Sequence, residues 1–181
     1  MYAISEMVRN TLEHSSASAG AIVCAQRYPG GRGRPYVSLG VADFGMGIRG
    51  SLSRNYSIST DGEALLKAMQ PGVSGAFRGV YGSSDNAGAG LFITRRFAEA
   101  SDGYFALMSG SAGFRTSLAE KRPDDDRLLL PILRFPGTLV SVEIGLDWDI
   151  DFGDALGVAR EAFGTRLQSR SDEVERRVQF E

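Results

Sequence analysis

The strongest constraint in this sequence is a pair of glycine motifs that enclose a long polar passage. "DFGMG", with Asp43, Gly45 and Gly47, follows an apolar stretch, and "NAGAGL", with Gly88 and Gly90, opens a helical pattern. Loops longer than about 15 residues are uncommon in compact domains unless they form functional lids or are disordered. Glycine permits positive φ and close approach of the backbone to a ligand. We therefore expect a functional segment bounded by the two motifs.

The second motif is suited to bind an anion, because the first turn of a helix presents free N–H groups. It is not a Walker loop, since no Gly-Lys-Ser/Thr follows it. It also lacks the third glycine of the dinucleotide fingerprint and does not directly follow a strand. Taken alone, an ordinary turn or a helix cap is the commoner explanation of either glycine pair.

The segment "SEMVRNTLEHS" places Glu6, Asn10 and His14 at every fourth position. In an α-helix these side chains would form one ridge, about 12 Å long at 1.5 Å per residue. The apolar residues between them fit a buried helical face. The ridge faces either solvent or a ligand, and these residues alone do not distinguish the two.

The remaining periodicities predict an α+β fold. The first half of the chain is predicted to contain a helix over 3–15, strands over 20–28 and 36–44, and a short helix capped by Asp61 and stopped by Pro71-Gly72. The second half is predicted to contain a helix over 91–103, a hairpin of 104–110 with 113–119, and strand material over 127–135 and 137–146. A helical tail is predicted over 151–170. The first two strands, joined by a Gly/Pro-rich loop, are expected to pair as a hairpin.

Composition narrows the function classes. A hydrophobic fraction of 43% supports a packed core, and a net charge of −2 gives no general attraction to nucleic acid or to an anionic membrane. The single cysteine, Cys24, excludes a disulfide within one chain, and its apolar surroundings predict a core position. No signal peptide or long apolar run is present, so we expect a cytoplasmic protein.

Four motifs stand in a definite order: Glu-x-x-x-Asn on the first helix, Asp-x-Gly-x-Gly after a strand, Gly-x-Gly-Leu opening a helix, and Gly-Thr leading a late strand. This order resembles the GHKL superfamily of histidine kinase-like ATPases, which includes DNA gyrase, heat-shock chaperone ATPases, sensor histidine kinases, anti-sigma-factor serine kinases and MutL proteins. The resemblance covers about residues 1–146. It is closest to stand-alone, anti-sigma-factor-like bacterial ATP-binding proteins.

The resemblance implies a two-layer α/β sandwich. Its sheet would be mixed but mainly antiparallel, covered on one face by helices and accompanied by a long ATP lid. The ATP-binding domain would span residues 1–147, with the lid at about 48–87. Residues 148–181 would then form a C-terminal helical extension.

The resemblance also implies ATP and Mg2+ as ligands. Asn10 would bind Mg2+ through its carbonyl oxygen, Glu6 would act as general base, and His14 would donate to a phosphate oxygen. One departure concerns Glu13, which stands where many histidine kinases carry a lysine. That phosphate contact is therefore absent or supplied elsewhere.

The base and the triphosphate are assigned to the later motifs. Asp43, helped by Thr138, would accept a hydrogen bond from the adenine amine, while Gly45 and Gly47 let the backbone pass close to the base. A second group would surround the phosphates with backbone amides: Gly88, Gly90 and Leu91. Arg95 and Arg96, a turn further along, are expected on a solvated face.

Basic residues of the predicted lid are candidate contacts for the γ-phosphate, and the sequence does not choose among them. They are Arg49, Arg54, Lys67 and Arg78.

Two reactions remain open. The chain holds one histidine, and it lies in the predicted ATP site, which excludes a self-contained histidine autokinase. The first hypothesis is a protein kinase that phosphorylates a separate partner protein. The second is an ATPase or a non-catalytic, nucleotide-switched binding module. Neither requires direct contact with nucleic acid or a membrane, and the oligomeric state stays open, a homodimer included.

Overall fold

The computed structural model describes residues 20–30, 33–71, 73, 90–116 and 129–146. The predicted helix over 3–15 and the predicted tail over 151–170 lie outside these ranges. Within them, no helix has the length and apolar character needed to cross a membrane.

The described residues form an antiparallel sheet and three helices, which confirms the predicted α+β class. The strands are β1 (Ala21–Tyr28), β2 (Tyr36–Asp43), β3 (Tyr104–Arg115) and β4 (Leu129–Gly145), in the spatial order β1-β2-β4-β3. The helices are α1 (Gly47–Leu52), α2 (Asp61–Ala68) and α3 (Gly90–Ala100). Each pair of neighbouring strands is antiparallel.

The predicted hairpin of the first two strands is confirmed. β1 pairs with β2 in a continuous register from Ala21 opposite Asp43 to Tyr28 opposite Tyr36. The two tyrosine rings stack beside the connecting loop, with their centroids 4.6 Å apart. The prediction that Cys24 lies in the core is wrong, because β1 is exposed along most of its length and the thiol is exposed with it. An apolar run does not reveal whether its strand is central or at an edge.

Strand β3 turns back on itself, as the predicted hairpin requires. The Thr116 N–H donates to the Phe105 carbonyl oxygen over 2.9 Å. Eleven residues of straight strand would separate these groups by roughly 36 Å, so the chain must reverse between them. The reversal lies where Gly110 has a positive φ of 61° and the pairing with β4 is interrupted.

The core lies on one face of the sheet. Strand side chains of alternating register point into it, including Leu39, Val41, Phe105, Leu107, Val140 and Val142. All three helices contribute to the same cluster, α1 through Ile48 and Leu52, α2 through Leu65 and its neighbours, and α3 through Ala98. One hydrophobic cluster therefore joins all the described helices to the same side of β2, β3 and β4.

Helix α1 was missed from the sequence, because six residues with two glycines, "GIRGSL", give no recognisable helical period. Its Ile48 and Leu52 are 8% and 4% exposed. Residues 48–52 and 61–68 of the predicted lid over 48–87 thus form helices that pack into the core, and the lid itself stays a prediction.

The start of α2 is capped by Thr60, and the predicted cap at Asp61 is wrong. The Thr60 hydroxyl accepts a hydrogen bond from the Glu63 N–H, as an N-cap residue does. Asp61 instead connects α2 to the reversal in β3. One of its carboxylate oxygens accepts bonds from the N–H and the hydroxyl of Ser111, at 2.8 and 2.9 Å.

Candidate functional site

Asp43 is the last residue of β2, at the point where the chain leaves the sheet for α1. Its carboxylate accepts a hydrogen bond of 2.8 Å from the Gly45 N–H, and the residue is only 3% exposed. In the sheet, Thr138 lies directly between Asp43 on β2 and Ser109 on β3. Three polar residues from three strands thus form one row at this end of the core.

Burial raises the pKa of Asp43, and hydrogen bonds from the backbone N–H groups of Gly45 and Thr138 act in the opposite direction. Among the ion pairs formed between described residues, none includes Asp43. A buried carboxylate without a cationic partner weakens folding. Such groups occur frequently at functional sites, where the unused hydrogen-bonding capacity serves a ligand.

Ser109 fixes the backbone around this carboxylate. Its hydroxyl accepts a bond of 2.9 Å from the Ile48 N–H and donates one of 2.7 Å to the Gly137 carbonyl oxygen. Ser109 therefore joins the start of α1 to the start of the late strand segment. Sequence reasoning missed it, and the only signal was a hydroxyl residue within the otherwise apolar run "YFALMSG".

Two glycines allow the backbone segments to approach each other. Gly47 has φ +71°, and a Cβ there would lie 2.8 Å from the Ser109 hydroxyl oxygen. Gly137 has φ +107°, and a Cβ there would overlap the Asp43 carbonyl group. Both positions exclude L side chains through conformation and contact together. The Gly-Thr motif, Gly137-Thr138, is therefore the place where the backbone of β4 comes close to the end of β2.

Four of the predicted site residues are brought together in this way: Asp43, Gly45, Gly47 and Thr138. Gly90 and Leu91 belong to a separate element, the first turn of α3. Gly90 is buried there, and Leu91 packs against the core cluster. The other predicted residues, Glu6, Asn10, His14 and Gly88, lie outside the described residues. The Mg2+ ligand and the general base therefore stay predictions.

The prediction of a solvated face for Arg95 and Arg96 is wrong for Arg95. The Arg95 side chain is 9% exposed, with its guanidinium 4.9 Å from the ring centroid of Phe114 and 2.7 Å from a carboxylate oxygen of Glu99. Arg96 is partly exposed, and it contacts the second oxygen of Glu99 at 3.1 Å. A carboxylate and an aromatic face together allow a guanidinium to be buried.

Two of the basic candidates for the γ-phosphate have partners within the protein. Arg49 lies 3.9 Å from the Asp61 carboxylate, and the Lys67 ammonium lies 5.0 Å from the ring centroid of Tyr56. Arg54 is exposed, and Arg78 lies outside the described residues. These contacts favour a structural role for Arg49 and Lys67.

Comparison with protein-family models, with curated proteins and with solved structures finds no match to this chain. The geometry of Asp43 and its neighbours, together with the motifs, is therefore the basis for interpreting the site.

Replacing Ser109 with alanine should destabilise the protein by about 1–3 kcal/mol, because the Ile48 N–H and the Gly137 carbonyl would lose a buried partner. Equilibrium denaturation with urea measures this change. Ser141→Ala is the matched control, since it lies on the adjacent strand β4 but on the opposite face of the sheet. Equal effects of the two substitutions would contradict the assigned role of Ser109.

Asp43→Asn should increase the free energy of unfolding near pH ~7, because the amide keeps an acceptor for the Gly45 N–H without a buried charge. The raised pKa means that the folded wild-type protein binds the proton more tightly than the unfolded chain. Its stability therefore falls as pH rises from the ordinary carboxyl pKa through the raised one. The advantage of the variant should disappear at pH values below that window. Urea denaturation curves of both proteins across this pH range measure the difference in their free energies of unfolding. An Asp43→Asn variant that is less stable than the wild-type protein at neutral pH would contradict the prediction.

Proposed function

We propose that this protein binds Mg-ATP in the manner of the GHKL superfamily and transfers the γ-phosphate to a separate partner protein. The observation that carries the proposal is the buried carboxylate of Asp43, with no ion-pair partner among the described residues. It is held by Gly45 beside Thr138 at the end of the core. This geometry unites two motifs, Asp-x-Gly-x-Gly and Gly-Thr, that are 95 positions apart in the sequence (43 to 138).

Asp43 would select adenine. A carboxylate oxygen that is not used by the Gly45 N–H can accept a hydrogen bond from the exocyclic amine of the base. Guanine presents a carbonyl oxygen at the corresponding position, which would face the carboxylate without a proton between them. The Thr138 hydroxyl can donate or accept, and it lies on the adjacent strand. This arrangement favours ATP over GTP.

The triphosphate would lie towards the start of α3. The N–H groups of the first turn, at Gly90 and Leu91, are suited to phosphate oxygens, and Gly88 would extend this set. Asn10 would supply an oxygen ligand to Mg2+, Glu6 would orient or deprotonate the attacking group, and His14 would donate to phosphate. In this proposal the helices cover one face of a two-layer sandwich. A lid closing over the nucleotide would begin after Pro71, because α1 and α2 are part of the core.

A kinase reaction needs little covalent chemistry from such a site. Phosphoryl transfer depends mainly on positioning and on neutralising charge on the phosphates. The same site could instead deliver the phosphate to water, or bind nucleotide without turnover and change affinity for a partner. The kinase is preferred because the sequence most resembles anti-sigma-like members that act on other proteins. ATP hydrolysis or switching is the alternative.

Replacing Asp43 with alanine should abolish detectable binding of Mg-ATP in isothermal titration calorimetry, since the base would lose its acceptor. GTP should bind at least tenfold more weakly than ATP to the wild-type protein, a difference of about 1.4 kcal/mol. Asp102→Asn is the control, because it removes an exposed carboxylate at the far end of α3. Wild-type ATP affinity in the Asp43 variant, at unchanged far-UV circular dichroism, would refute the site.

Replacing Glu6 with alanine should slow phosphate release or transfer by at least about a hundredfold while leaving ATP affinity unchanged, as expected for a general base. Incubation with γ-labelled ATP, with and without co-purifying proteins, measures where the phosphate goes. Label on a second protein supports the kinase, and free phosphate supports the ATPase. Nucleotide binding without either product supports the switch.

A further inference from the structure

The sheet has a second face, opposite the core, that carries almost no charge. It is formed by the side chains that alternate with the core residues along the four strands, whereas the three described helices pack on the core face. In the regularly paired part of the strands the second face has one charged residue, Glu143. A sheet face in contact with water normally presents polar side chains. The composition is therefore that of a surface that binds another molecule.

The second face is open at its β1 side in the single chain. Ile22 on β1 is 62% exposed, and the thiol of Cys24, two positions along the same face, is exposed as well. Ala42 and Leu139, which continue the row of Ile22 across β2 and β4, are partly exposed. The described structure thus leaves an apolar surface accessible to a second molecule.

The centre of this face consists of two rows of different size. Each row runs across all four strands, and the two rows are two residues apart along each strand. The first row contains three large apolar side chains, and its members are Ile22, Ala42, Leu139 and Met108. The second row contains only small side chains, and its members are Cys24, Gly40, Ser141 and Ala106. Packed layers interdigitate best where large side chains of one layer face small side chains of the other.

This pattern makes the face complementary to itself. A two-fold axis that lies across the strands, between the two rows, would place the first row of one copy on the second row of the other copy. Ile22 would then cover Cys24 of the other copy, and Leu139 would cover Ser141. A two-fold interface of this kind uses the same patch on both molecules. Glu143 lies one row further from the axis, towards the rim, where a charge stays hydrated.

The size of the face agrees with a dimer interface. Four strands at a spacing of about 4.8 Å give a width of about 19 Å, and eight residues at about 3.3 Å each give a length of about 26 Å. One copy therefore offers about 500 Å², and two copies together bury about 1,000 Å². This area lies at the lower limit for a specific interface, so we expect a dimer that dissociates on dilution.

We propose that two copies of this chain associate through their second faces and form a β-sandwich in which the two rows interlock. The sheets would lie about 10 Å apart, as packed sheets do. A second copy is the occupant that these observations favour, because the row pattern fits itself and the face offers no set of charges to a charged partner. The Asp43 carboxylate lies on the core face, so both candidate nucleotide sites stay on the outside of the dimer. The proposal does not depend on nucleotide binding.

Sedimentation velocity of the full-length protein between about 1 and 100 μM should show a reversible equilibrium between monomer and dimer. Cys24 reports on the same event, because its thiol leans over Gly40 at the centre of the proposed interface; a Cβ on Gly40 would lie 2.8 Å from the sulfur. The rate at which the thiol reacts with a chromogenic disulfide reagent should fall in step with the fraction of monomer as the concentration rises.

Ile22→Lys should raise the dissociation constant of the dimer at least about tenfold, because each copy would bury an ammonium group without a partner. Val23→Lys is the matched control, since Val23 is the next residue of β1, is 47% exposed and lies on the opposite face of the sheet. It adds the same charge to the same strand and should leave the dissociation constant within about twofold of the wild-type value. Far-UV circular dichroism checks that both variants keep the fold.

Three results would overturn the proposal. The first is a wild-type protein that stays monomeric at the highest concentration with a reactive thiol, which would show that the face does not associate with itself. The second is a thiol that is protected equally at every dilution, which would assign the cover to the chain itself. The third is an equal effect of Ile22→Lys and Val23→Lys on dissociation, whether large or absent, which would assign the dimer to another surface.

Discussion

The close approach of β4 to the end of β2 is the constraint on which the described structure depends most. Gly137 lies against the Asp43 backbone where no Cβ would fit, and this contact sets Thr138 directly beside Asp43. Ser109 then joins the same point to the first turn of α1 through two hydrogen bonds. One local contact thus fixes the position of a strand end, a helix start and a buried carboxylate.

Asp43, which is buried, and Asp61, which is partly exposed, illustrate two uses of a carboxylate in the same fold. Asp61 accepts bonds from the Ser111 N–H and hydroxyl and lies near Arg49; the backbone bond is the largest cause that lowers its pKa. It stabilises the fold above the ordinary carboxyl pKa, and this contribution is lost as pH falls. Asp43 has the opposite balance, because burial outweighs its backbone bonds and raises the pKa. The first acid connects elements, whereas the second keeps hydrogen-bonding capacity at a cost in stability, as residues that serve a ligand do.

Local patterns were sufficient for much of the fold. The β1-β2 hairpin, α2, α3 and the reversal near Gly110 follow from apolar runs, caps and turn residues, which act over a few positions of the chain. The two motifs containing Asp43 and Thr138 were also visible in the sequence. The structure pairs Asp43 with Thr138 across β2 and β4. That the two residues bind a nucleotide, as the resemblance to GHKL proteins implies, stays a prediction.

Tertiary structure alone decided the rest. The exposure of Cys24 depends on β1 being an edge strand of the described sheet, and the burial of Arg95 depends on Phe114 from another element. Helix α1 forms because Ile48 and Leu52 have a core to enter, and Ser109 became part of the site because its strand passes beside Gly137. Sequence determined which segments become strands or helices, since those preferences are local. Which side chains meet, and which are buried, was decided by packing between distant segments.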